Sequence, residues 1–152
     1  MSPALQRPHV LIVSDDRDLT EFLGEGLVYA GFWTSAIASA LQVLEVFRLR
    51  SFDVMVLDAA LGDIGSVELL RRLRGRSDRA TAAERTDIPI LVIAASNNEL
   101  DAVAAERAGA DQVIQAPVEL EDLAAEIGRS VSAWRAAHPG RRWADEAALD
   151  RS

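Results

Sequence analysis

What most restricts the fold of this chain is a regular exchange between two hydrophobic periods. Short apolar runs suited to buried strands recur, and most lead into a stretch with apolar residues at helical spacing. His9–Val13 (HVLIV) is short, β-branched and free of polar alternation, as a strand covered on both faces should be. Leu19, Phe22, Leu23 and Leu27 then recur at helical intervals up to Gly31. Trp33–Ile37 reads as a weaker second strand. Ser39 with Gln42 forms a capping box ahead of a helix through Leu41, Leu44 and Phe47. Phe52–Asp58 (FDVMVLD) is the clearest strand. After Gly62 and Gly65, Ser66 is placed to cap the helix VELLRRLR, which ends at Gly75. Arg76–Asp87 is polar, has no apolar face and reads as an extended surface loop. Ile88–Ala95 is another buried strand. Ser96 and Glu99 form a second capping box for a helix through Leu100, Val103 and Ala104 to Gly109. Gln112–Gln115 is a short strand, and Leu120, Leu123, Ile127, Val131 and Trp134 stripe the last helix.

Five strands alternating with five helices predict an α/β layered fold with a parallel sheet, and right-handed crossovers make it doubly wound. The 152 residues suit one domain, and no internal repeat is present. With 49% hydrophobic and 26% charged residues the chain reads as globular. Charges interrupt every apolar run before the ~18 residues a membrane helix needs, and no signal peptide opens the chain. A cytoplasmic location without membrane contact is therefore expected. The chain has no cysteine, which excludes disulfides, thiolate nucleophiles and Cys-based metal sites; His9 and His138 lack metal-ligand spacing. A net charge of −8 argues against nucleic acid as a partner. The nearest basic groupings are Arg71, Arg72, Arg74, Arg76 and Arg79, then Arg141 and Arg142, and the first of these reads as a solvated face. No output module has room to follow, so the domain is expected to stand alone.

The carboxylates that follow the strands are the candidate chemistry. In such sheets ligands bind beyond the carboxyl ends of strands, where strand order reverses. Asp15 and Asp16 follow the first strand and Asp58 ends the third. With strands one and three adjacent, Asp15 and Asp58 would share a crevice. Paired carboxylates repel unless a cation lies between them, and magnesium, a hard oxygen-seeking ion, fits that role. Carboxylate plus magnesium is also the equipment for phosphoryl transfer onto an aspartate. Asp after a strand is equally a common turn or N-cap residue, so spacing alone leaves both readings open.

The segments HVLIVSDDRDLTEFL, FDVMVLDAALGDIGSVELLRRLR, IPILVIAAS and AGADQVIQAPVELEDL, in this order, resemble the receiver domain of two-component response regulators. The resemblance covers roughly Pro8 to Ser132. It implies a flavodoxin-like receiver fold, with strand order 2-1-3-4-5 inherited from it and not read from the pattern. It also implies Asp58 as phosphoacceptor and a metal site from Asp15, Asp58 and the carbonyl of Ala60. Four positions depart from the family pattern. Ser14 stands where a first acid is expected, Ala94 replaces a hydroxyl residue, Ala116 replaces a lysine and Val113 replaces an aromatic switch residue. Asp16 is expected to begin the first helix and not to join the pocket, and Gly62 replaces a proline.

These departures point to a pseudo-receiver, a non-enzymatic protein-interaction module with impaired phosphorylation switching and at most weak magnesium binding. Its partner would be a histidine kinase or other signalling protein, meeting residues around Glu99–Glu106 and Glu119–Glu126. The alternative is a functional phosphoacceptor receiver phosphorylated at Asp58 by a histidine kinase. A flavodoxin-like enzyme is disfavoured, because the turn SDDRD is acidic, lacks glycine and repels phosphate. Residues 8–137 are read as the receiver-like domain and 138–152 as a C-terminal extension. Trp134 fits the helix stripe. Trp143, beyond Pro139-Gly140, would fold back over the domain or close a homodimer.

Overall fold

The computed structural model describes residues 7–95 and 99–144. Five strands alternate with five helices: β1 His9–Val13, α1 Arg17–Tyr29, β2 Trp33–Ile37, α2 Ala40–Phe47, β3 Val54–Asp58, α3 Ser66–Leu73, β4 Ile90–Ala94, α4 Glu99–Ala108, β5 Gln112–Gln115 and α5 Leu120–Ala137. All strand pairs are parallel, in the order β2-β1-β3-β4-β5. The doubly wound architecture expected from the alternation, and the strand order implied by the resemblance, are those observed.

The apolar runs form strands because both faces of the sheet are covered. Side chains alternate faces along a strand, so each run divides between two cores. Leu11, Val13, Met55, Leu57, Ile90 and Val92 meet Val43, Leu44, Leu69, Leu70, Leu73, Ala105 and Ala108 from α2, α3 and α4. Val10, Ile12, Val54, Val56, Leu91 and Ile93 meet Leu23, Leu27, Leu123, Ile127 and Val131 from α1 and α5. Each fully buried Leu or Ile contributes about 1.5–3 kcal/mol relative to exposure. β1 and β4 are buried throughout, whereas edge strands β2 and β5 are only partly covered.

Local signals decide the helix ends. Asp16 caps α1, its carboxylate accepting from the Leu19 N–H at 3.2 Å. Ser39 caps α2, accepting from Gln42 N–H at 3.2 Å. Ser66 does not cap α3. The N-cap is Gly65 and makes no side-chain bond, while the Ser66 hydroxyl donates to the Ala59 carbonyl at 3.0 Å. That hydroxyl ties the helix start back to the end of β3. The capping box expected from Ser96 and Glu99 lies outside the described residues. The stretch 76–87 is a run of turns bound to the domain, not an extended loop. Ser77 donates to Glu68, Arg76 to the Arg107 carbonyl, and Arg48 to the buried Glu84 at 2.8 Å.

Beyond α5 the chain turns back under the sheet. The Ala144 N–H donates to Asp53 at 3.0 Å, and the other Asp53 oxygen accepts from the His9 N–H at 2.7 Å. Trp143 packs against the α1/α5-side core with the Arg135 guanidinium 3.7 Å from its ring centre. Trp134 donates its indole N–H to the Asp87 carbonyl at 2.8 Å.

Candidate functional site

The crevice lies where β1 and β3 end side by side. Val13 pairs with Leu57 in the ladder, so Ser14 and Asp58 emerge as neighbours. The Ser14 hydroxyl, 3% exposed, donates to Asp58 Oδ2 at 2.7 Å and accepts the Asp16 N–H at 3.1 Å. Asp58 Oδ1 accepts the Ala60 N–H at 2.9 Å. Both oxygens of this half-buried carboxylate are thus engaged, and the side chain is held at the strand end.

Asp15 is exposed and reaches the loop that follows Asp58. A Cβ placed on Gly62 would stand 3.2 Å from Asp15 Oδ2, closer than an ordinary contact. Glycine at 62 therefore leaves room for the Asp15 carboxylate beside the β3–α3 connection, where a proline ring would press on it. Asp16 points elsewhere, into the cap of α1.

The other two walls are apolar. Asp58 pairs with Ile93 in register, and Ala94 follows it with 1% exposure. The Ala94 carbonyl accepts the Ala116 N–H at 2.8 Å, which sets Ala116 beside the end of β4. A methyl group thus stands at each of these strand ends, with neither hydroxyl nor ammonium. Val113 on β5 packs into the α2/α3/α4-side core. Among the described residues no group of three or more His, Cys, Asp or Glu is disposed to hold a metal. The oxygen donors implied by the resemblance are the carboxylates of Asp15 and Asp58 with the Ala60 carbonyl. That set suits a hard cation in kind, with one negative charge fewer than an acid at Ser14 would supply.

The β3–α3 loop is pinned from a second direction. Asp63 accepts the N–H groups of Ala40 and Leu41, both at 3.0 Å. Slight burial pushes its carboxyl up. Hydrogen bonds from Ala40, Leu41, its own N–H and that of Ile64 outweigh this and hold it below the ordinary carboxylate range. Sequence reading missed this contact, since its partners lie on another helix.

Among the described residues no helix is long and apolar enough to cross a membrane. Residues 10–128 match the response regulator receiver domain family. Response regulator MprA of Mycobacterium tuberculosis is 31% identical over 118 residues, 78% of this chain and 48% of MprA. The chain thus spans about half the length of the curated relatives it matches. The signal receiver domain of a signal transduction histidine kinase from Syntrophus aciditrophicus superposes with a TM-score of 0.72 at 25% identity, covering 83% of this chain and 91% of that one. Full-length FixJ from B. japonicum gives 0.73 at 27% identity, over 88% and 61% of the two chains. Fold, strand order and sequence agree, and the chain belongs to the response regulator receiver domain family of two-component signalling.

Proposed function

We propose that this receiver works mainly as a protein-interaction module whose coupling to phosphorylation is impaired. The observation that carries the reading is the make-up of the crevice around Asp58. Its Oδ2 is taken by the Ser14 hydroxyl, and methyl groups stand at Ala94 and Ala116. Phosphoryl transfer to Asp58 would form a bond from a carboxylate oxygen to phosphorus and break the bond to the donor. The new phosphoryl oxygens would then need partners. An ammonium at 116 would supply a charge-assisted bond of roughly 1.5–3 kcal/mol, and a hydroxyl at 94 would report the charge to the neighbouring loop. Without differential contacts, phosphorylation has little with which to shift a conformational equilibrium.

Asp15, Asp58 and the Ala60 carbonyl are the groups that would hold magnesium, which would neutralise phosphoryl charge when bound. We place the domain at residues 8–137 with 138–152 as its extension. The partner, a histidine kinase or another signalling protein, would meet the face of α4, β5 and α5, which exposes Glu106, Glu119, Glu121 and Asp122.

The test is intact mass after incubation with magnesium and a small-molecule phosphodonor, alongside partner binding by wild type and Asp58→Ala. The proposal expects little or no adduct and equal binding by both proteins. A stoichiometric adduct absent from Asp58→Ala, with binding lost in that variant, favours the second reading, a functional phosphoacceptor. That reading draws support from the half-exposed Asp58 and from Asp15 beside the loop that follows it.

A further inference from the structure

At the opposite end of the sheet the chain lines an open cavity of about 810 Å³. Phe47 and Phe52 form one wall, Trp134 another, and the returning segment that includes Gly140, Arg141 and Ala144 crosses it. Among the described residues its lining holds four arginines, Arg50, Arg85, Arg141 and Arg142, and two carboxylates, Asp53 and Asp87.

Both carboxylates are already engaged. Asp53 accepts the backbone N–H groups of His9 and Ala144. Asp87 lies 3.4 Å from both Arg141 and His138. Arg50 sits 5.5 Å from the Phe52 ring centre and Arg85 lies alongside Gly75. Neither makes an ion pair among the described residues. The ring faces are occupied too. Trp134 stacks on His138 at 4.2 Å beneath Arg141, and Phe52 meets His9, Phe47 and Arg50. The aromatics therefore serve as a low-dielectric wall and offer no stacking platform, which leaves recognition to the guanidinium groups.

We propose that this cavity binds a small polyanion bearing linked phosphoryl groups. Guanidinium forks match phosphate oxygens in bidentate pairs. Two lining arginines without ion-pair partners among the described residues, Arg50 over the Phe52 ring and Arg85, answer a multiply charged group better than a single carboxylate. The volume lies within the ~300–1,000 Å³ typical of small-molecule sites. The site is separate from the Asp58 crevice, so the inference stands whether or not Asp58 accepts phosphate.

Calorimetric titration of the full chain with sodium pyrophosphate, at moderate ionic strength, tests it. Saturable one-to-one binding is expected, weakened about tenfold or more by Arg50→Ala and by Arg85→Ala. Arg85→Lys, which keeps the charge and loses the fork, should fall between. Asp58→Asn and the remote Arg17→Ala should bind like wild type. Absence of saturable binding overturns the proposal. So does equal weakening by Arg17→Ala, which would mean diffuse attraction only, or equally tight competition by an acidic peptide of the same charge.

Discussion

A serine beside Asp58 gives one hydrogen bond and takes another, whereas an acid in its place would add a charge. Ser14→Asp should therefore destabilise the protein in chelator, because two buried-edge carboxylates repel and raise each other's proton affinity. Magnesium should reverse this, so the metal-induced rise in Tm should be larger in Ser14→Asp than in wild type. Equal shifts in the two proteins would show that Asp15 and Asp58 already form the complete cation site. The sequence separates the three residues that follow β1 only in part. Asp16 is legible as an N-cap because capping is local. The bond from Ser14 to Asp58 is not, because it spans 44 residues and depends on the β1–β3 register. Ser66 misled for a related reason: the hydroxyl type suits a cap, but a carbonyl at the end of β3 competes for it.

Two contacts between elements can be tested by opposing effects. A Cβ on Gly26 of α1 would overlap Leu120 Cδ1 and lie 2.7 Å from its Cδ2 and 3.0 Å from its Cγ. Gly26→Ala gains about 1 kcal/mol of helix propensity, but overpacking costs about 1–3 kcal/mol. Net destabilisation is expected in wild type. The sign should reverse in a Leu120→Ala background, read from urea midpoints. On the other face of the sheet, Asp63 and Ser39 cap α2 together. Asp63→Ala should cost about 1 kcal/mol at neutral pH. The Asp63 carboxyl is held below its ordinary 3.8. Its contribution is thus complete above that value and is lost as pH falls through the lower folded one. The gap between wild type and variant should therefore close in strong acid and stay constant above about pH 5. The strands themselves were legible, since parallel strands covered on both faces appear as unbroken apolar runs. The turns at 76–87 were not, because Arg48, Glu68 and Arg107, which hold them, lie outside that segment.

For the molecule as a whole, the returning segment through Ala144 is an extension held against the domain. It caps Asp53, covers the α1/α5-side core with Trp143 and meets Asp87 through Arg141. Deletion of residues 138–152 should lower stability by about 2 kcal/mol, from lost Trp143 burial and loss of the Ala144 hydrogen bond to Asp53. A denaturant midpoint measures this. Unchanged stability with altered sedimentation would instead assign Trp143 to a homodimer.

An acid stands at each end of the buried run of β3, Asp53 just before its first residue and Asp58 as its last. Five residue steps of extended chain separate them by about 17 Å. A bead, dye or fusion attached just past Ala144 would therefore emerge on the Asp53 side. Immobilised that way, the protein would present its Asp58 crevice freely to a capture partner while crowding the arginine-lined cavity. Attachment at the opposite pole would reverse which end is left open.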